Sequence, residues 1–140
     1  MKILKTTTPK ITYIQQEWHF IDVRGRILGD AAQEIAKLLI GKNKAIYTPN
    51  INVGDKVVVL NSKKVAVTGR KLDDKTYYRH TGYPGGIRNE NLRSLLDRRP
   101  NEVIRRAVKN MLPKNKLQKI RMANLYIYEG DQHPHEAQQK

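Results

Sequence analysis

The chain contains no cysteine. Disulfides, cysteine-based zinc sites and thiol catalysis are therefore excluded, and a reducing compartment fits. It also lacks any apolar run near the roughly 20 residues of a membrane-spanning helix. Met1 to Lys10 is basic but has no apolar stretch of the secretory kind, and a strand-like segment follows soon after at Trp18, so neither a signal nor a transit peptide is expected. Neither G-x-x-x-x-G-K-S/T nor G-x-G-x-x-G occurs. Gly41-Lys42 and Gly85-Gly86 are thus weak pointers to a nucleotide, and no cofactor is expected. With no internal repeat or long linker, the 140 residues read as one domain. Its parts are a basic arm (1–16), an α/β core (17–129) and a polar tail (130–140).

Acid is scarce as well. Lys and Arg number 27 against 13 Asp and Glu, a formal net charge of +14. The excess is uneven: residues 1–69 carry +6, residues 70–121 carry +10 and residues 122–140 carry −2. A focused basic block is the footprint of a polyanion partner, because self-repulsion opposes folding unless something compensates it.

The arm is threonine-rich, punctuated by Lys2, Lys5, Lys10 and Pro9. Trp18 to Val23 reads as a strand, rich in aromatic and β-branched residues. Leu28, Ala32, Ile35, Leu38 and Leu39 recur at helical spacing, and Gly41 closes that helix. Lys56-Val57-Val58-Val59-Leu60 is a short apolar run, the signature of a strand covered on both faces. Strand, helix and strand in this order make a parallel βαβ unit. Lys64 to Gly69 reads as a turn or short helix, and Lys75 to Thr81 as a third strand. Asn89–Asp97 and Pro100–Met111 read as helices, Asn115–Met122 as a short one, and Asn124–Tyr128 as a last strand. The expected fold is a small α/β domain with a sheet of about four strands covered by helices.

The richest stretch is Tyr77-Tyr78-Arg79-His80-Thr81-Gly82-Tyr83-Pro84-Gly85-Gly86. Arginine neutralises phosphate, tyrosine and histidine stack on unpaired bases, and glycines let backbone amides approach a charged ligand. Lys75 and Arg88 flank it. A tyrosine pair in a strand sends one ring inward and one outward; Tyr78 is taken as the outward one. Farther on, Arg98, Arg99, Arg105, Arg106 and Lys109 continue through Lys114, Lys116, Lys119 and Arg121, an apparent track for a phosphate backbone. On the helix, Glu102 can pair with Arg105 or Arg106. Lys42 and Lys44 after the first helix, Arg70 and Lys71 at the head of the basic block, and His133 and His135 in the tail complete the candidate RNA contacts.

His133-Pro134-His135 could begin a metal site, but Glu129, Asp131 and Glu136 are ordinary tail acids, and a tail docked on RNA or on the domain itself is the preferred reading. Glu17, His19, Asp22 and His80 could supply acid–base chemistry, yet nothing holds any two of them together. No catalysis is expected.

Several pieces occur in an order and spacing that is highly specific. They are Trp18 to Asp22, Leu39-Ile40-Gly41-Lys42, Tyr47-Thr48-Pro49, Gly54 to Asn61 and Thr68-Gly69 with Lys71 and Lys75. They continue with Tyr77 to Gly86, Ala107-Val108-Lys109, Met111-Leu112-Pro113-Lys114-Asn115 and His133-Pro134-His135 with Gln138-Gln139. With them the chain resembles the universal large-subunit ribosomal protein family numbered thirteen, in its bacterial form. The resemblance implies a three-layer α/β domain on a four-stranded, largely parallel sheet flanked by helices, and a structural, non-catalytic protein that binds large-subunit rRNA, acts early in subunit assembly and holds rRNA helices together. It implies a monomer within a cytoplasmic bacterial ribosome rather than an organellar one, with neighbouring ribosomal proteins as partners and no membrane. The Thr-Gly to Gly-Gly segment and the Met-Leu-Pro-Lys segment are its implied RNA-facing elements. Asp30 stands where the family usually has arginine, and Asn110 and Gln118 where it usually has glycine. The rival readings are a DNA-binding regulator, disfavoured by the lack of a helix-turn-helix, and an RNA-processing enzyme, which lacks a clustered site.

Overall fold

Strand β1 (Trp18–Asp22) pairs in parallel with β2 (Lys56–Leu60), and β2 pairs in parallel with β5 (Leu125–Ile127) on its other side. The computed structural model describes residues 8–139; the first seven residues of the expected arm, with Lys2 and Lys5, lie outside them. Between β1 and β2 runs helix α1 (Leu28–Ile40). Its buried stripe is Leu28, Ala31, Ala32, Ile35, Ala36, Leu39 and Ile40. Each large side chain so buried stabilises the fold by roughly 1.5–3 kcal/mol. Gly41 ends the helix at φ 80°, and its amide bonds back to the carbonyls of Lys37 and Leu38. A side chain there would be strained in this left-handed geometry.

Strand β2 is covered on both faces, as its unbroken apolar run requires. Val57 and Val59 join Ile21, Leu125 and Ile127 in the main core, against α1 and against helices α3 (Leu92–Arg98) and α4 (Pro100–Met111). Val58, also fully buried, faces the other way. On that far face Trp18, Phe20, Tyr126 and Tyr128 meet His133 and His135 of the tail. The far layer there is thus an aromatic surface roofed by the tail, where helices were expected.

Two further expectations are corrected. The parallel sheet has three strands. The segment expected as its third strand forms β3 (Thr76–His80), which pairs antiparallel with β4 (Ile87–Asn91) in a separate ribbon. Arg79 and His80 could not be buried in a central sheet without partners. A residual fourth rung survives as one parallel bridge, Ile27 to Ala66, cut short between the 3-10 turn Ser62–Lys64 and Gly69. The helix expected from Asn89 begins at Leu92, because Asn89, Glu90 and Asn91 stay extended to pair with Tyr78, Tyr77 and Thr76. The remaining helices are the single turn α2 (Lys71–Asp74) and α5 (Leu117–Ala123). Among the described residues, no helix is long and apolar enough to cross a membrane.

Candidate nucleic-acid interface

In an antiparallel ribbon, directly opposed residues share a face. The β3–β4 register therefore sorts the tyrosine segment into two surfaces. Tyr77 opposite Glu90 and Arg79 opposite Arg88 lie on one face; Tyr78 opposite Asn89 and His80 opposite Ile87 lie on the other. Tyr78 and Ile87 are 70% and 66% exposed. Tyr77 is half-buried, with the Arg106 guanidinium 5.1 Å and the Lys75 ammonium 5.3 Å from its ring centre. Burial pushes the Tyr77 hydroxyl pKa up, with Arg106 opposing. The connecting loop is tight. A Cβ on Gly86 would lie 2.1 Å from Thr81 Oγ1 and 2.8 Å from the Tyr83 carbonyl oxygen, so only glycine fits there. The Gly82 amide donates to His80 Nδ1 at 2.9 Å, which orients the exposed imidazole.

The first face looks across a cleft of about 1040 Å³ toward α3 and α4. Arg79 and Arg88 line it from the ribbon, and Arg98, Arg99 and Arg106 from the helices. Its acids are already committed. Glu90 accepts two bonds from Arg98, at 3.1 and 2.6 Å, and Glu102 accepts one from Arg106 at 2.9 Å. The Arg98 bonds hold the Glu90 carboxyl below its usual range. Arg79, Arg88 and Arg99 have no carboxylate partner among the described residues. Two arginines directly opposed across strands repel each other. An anion between them would relieve that repulsion.

A second basic groove, about 800 Å³, lies between α4 and α5 and gathers Arg105, Lys109, Lys116 and Lys119. Its geometry is set by Gln118, whose Nε2 donates to the carbonyls of Lys109 (2.9 Å) and Leu112 (3.4 Å) at the end of α4. Gln118 thus satisfies carbonyls that a helix end leaves open. Lys114 is exposed on the connection between these helices. Arg70, Lys71 and Lys75 line a third groove, beside the start of α1.

Five candidates lie elsewhere. Arg121 is corrected outright: it is 1% exposed, and burial lowers its pKa. Continuity of charge along the sequence is not continuity in space, and the side of α5 that carries Arg121 faces inward. Lys44 is committed to Asp55 and to the Gln15 carbonyl, the latter at 2.7 Å. Lys42 beside it is exposed. His133 and His135 dock on the domain itself. Ring centres of His135 lie 4.9 Å from Trp18 and 4.7 Å from Tyr126, those of His133 and Phe20 are 5.3 Å apart, and Tyr128 Oη is 3.0 Å from His135 Nε2.

Sequence reasoning overlooked Asp55. Fully buried, it accepts the Glu17 amide at 3.0 Å, bonds His19 Nε2 at 3.0 Å and is paired with the Lys44 ammonium. Glu17, His19 and Asp55 bring donor atoms within 4.8 Å of one another. The Lys44 ammonium already supplies a cation to the buried carboxylate, so the cluster reads as a clamp tying the entry of β1 to the α1–β2 loop. Asp22 is structural too, accepting from the Arg24 amide and from Asn61, both at 2.9 Å.

Fold and surface together define a class: a small, strongly basic α/β protein with three cationic grooves that all border helix α4, one of them shared with the antiparallel ribbon. Comparison with known proteins gives the particular family. The model of the family described as ribosomal protein L13 matches residues 16–134. The chain is 50% identical over 136 residues to the "Large ribosomal subunit protein uL13" of Pelobacter propionicus, covering 97% of this chain and 96% of that one. It is 48% identical to the protein of that name in Syntrophotalea carbinolica, at the same coverage. With that of Dehalococcoides mccartyi it shares 50% identity over 135 residues, covering 96% and 94% of the two chains. The chain belongs to the ribosomal protein L13 family.

Proposed function

We propose that this protein is a structural constituent of the large subunit of a cytoplasmic bacterial ribosome. It binds rRNA, holds rRNA helices together during early assembly and performs no catalysis. The observation that carries the RNA-binding reading is the Arg79–Arg88 cross-strand pair, opposed without an acid in a cleft whose own carboxylates are occupied. Phosphodiester groups are the anions such a pair fits, and arginine contacts them with two donors at once. Phosphate contacts position the protein, while shape and a few unpaired bases supply selectivity. Tyr78 and His80, on the opposite face of the ribbon, are the stacking surface for those bases. Both basic grooves beside α4 extend the contact, so that separate RNA segments meet on one rigid body.

The test is the salt dependence of binding to large-subunit rRNA. Replacing both Arg79 and Arg88 by alanine lowers the slope of log K against log salt by about 1.5, since each neutralised phosphate contributes about 0.7–0.9. An unchanged slope would remove the pair from the interface.

A further inference from the structure

The groove beside the start of α1 has a volume of about 700 Å³ and two unlike parts. Its floor is apolar, formed by Ile27, Val67, Leu92 and Met111. Ile27 and Met111 remain 41% and 43% exposed although both are large and apolar. One rim is cationic: Arg70, Lys71 and Lys75 stand there against a single acid, Asp74. Arg70 has no ion pair or side-chain hydrogen bond among the described residues, and the Lys71 ammonium reaches only Thr68 Oγ1, at 3.5 Å.

We propose that this groove receives a single nucleotide turned out of an RNA strand. Its base lies on the Ile27–Met111 floor and its phosphate on Arg70 and Lys71. The inference rests on the RNA-binding reading above and names a specific seat for one element of that RNA. The volume falls in the range of pockets that enclose small ligands. An apolar side chain from a neighbouring protein would suit the floor but leave the rim cations without a counter-charge. A paired duplex would suit the rim but leave the floor in water. An unstacked nucleotide offers a flat apolar ring and an anion one sugar apart, matching both parts. Met111 suits the task because its thioether adapts to a planar ring.

The experiment uses assembled ribosomes. A photoreactive p-benzoylphenylalanine is placed at Met111 or, in a second variant, at Ile27. Large subunits containing the full-length protein are purified and irradiated, and the adducts are mapped. The expected result is that both positions cross-link to the base of the same one or two rRNA nucleotides. Adding Arg70→Ala and Lys71→Ala should then reduce that yield about tenfold, the size expected for losing a charge-assisted contact. Adducts to a protein neighbour, adducts scattered along the rRNA, or none at all in subunits that hold the protein at full stoichiometry would each overturn the nucleotide seat while leaving the ribosomal reading intact. Absence of the wild-type protein from the subunits would instead remove the reading on which the inference rests.

Discussion

Replacing Asp55 by asparagine tests the clamp that joins the start of β1 to the loop before β2. The carboxylate is fully buried and holds the Glu17 amide, His19 and Lys44. Asparagine keeps the size and can still accept from the Glu17 amide. It loses the charge, and its own amide hydrogens then face the donors of Lys44 or His19. A hydrogen bond to a charged group contributes about 1.5–3 kcal/mol, and removing one partner of a buried pair costs about 3–5 kcal/mol. The Lys44 head group is partly exposed and can turn to water, so the low end applies and the loss is about 3 kcal/mol. For a domain of this size that is a fall of about 10 °C in Tm. The pH dependence gives an independent reading. Burial would push the Asp55 carboxyl up, but the bonds from Glu17, Lys44 and His19 outweigh it and hold its pKa below the usual value. A carboxyl depressed in the folded state stabilises above its unfolded pKa of about 3.9, and that stability is lost as pH falls through the folded value. Wild type and Asp55→Asn should therefore differ fully at pH 7 and 5, and the difference should start to shrink only as pH falls below about 4. Urea unfolding followed by circular dichroism at pH 7, 5 and 3 measures both effects. A difference below about 0.5 kcal/mol at pH 7, or one that stays constant down to pH 3, would refute the reasoning.

The two tyrosines of β3 should separate cleanly. Tyr78→Ala weakens rRNA binding by about 1–3 kcal/mol, the worth of one stacked base, and leaves the unfolding midpoint unchanged, whereas Tyr77→Ala lowers the midpoint. Arg121→Met leaves the salt slope of rRNA binding as in wild type, because the side chain is buried; stability stays level or rises, since a well-packed apolar replacement for a buried charge is often favourable. Gly86→Ala opens the β3–β4 loop through its contact with Thr81 and the Tyr83 carbonyl, read as faster amide exchange at Thr81 and Gly86, whose backbones are bonded at 2.9 Å.

Much of the core was legible because its signals are local. The stripe of α1, its glycine stop and the valine run of β2 each state a burial pattern within a few residues. The limits of α4 follow from Pro100 at its start and Pro113 just beyond its end. Strand alternation splits the Tyr77–Tyr78 pair between two faces, and the pairing with β4 decides that Tyr78 is the outward one. What escaped notice depends on partners distant in sequence. Ile87-Arg88-Asn89-Glu90-Asn91 has no strand-like composition and is extended only because β3 pairs with it. Arg121 continues a run of exposed cations in sequence, yet the packing of α5 turns it inward. Asp55 looks like an ordinary acid before a strand until Glu17 and Lys44 arrive from segments 38 and 11 residues away. For His133 and His135 the sequence leaves docking on RNA or on the domain open, and it is the distant aromatic residues Trp18, Phe20 and Tyr126 that bring them onto the domain.

The central claim is membership in the large ribosomal subunit through contact with its rRNA. Sedimentation of a lysate through a sucrose gradient at moderate salt tests it most directly. The protein should appear in the large-subunit peak at one copy per particle and leave it as salt rises, sooner for the Arg79→Ala, Arg88→Ala double variant than for wild type. Recovery of the wild-type protein free at the top of the gradient, or with DNA, would contradict the account.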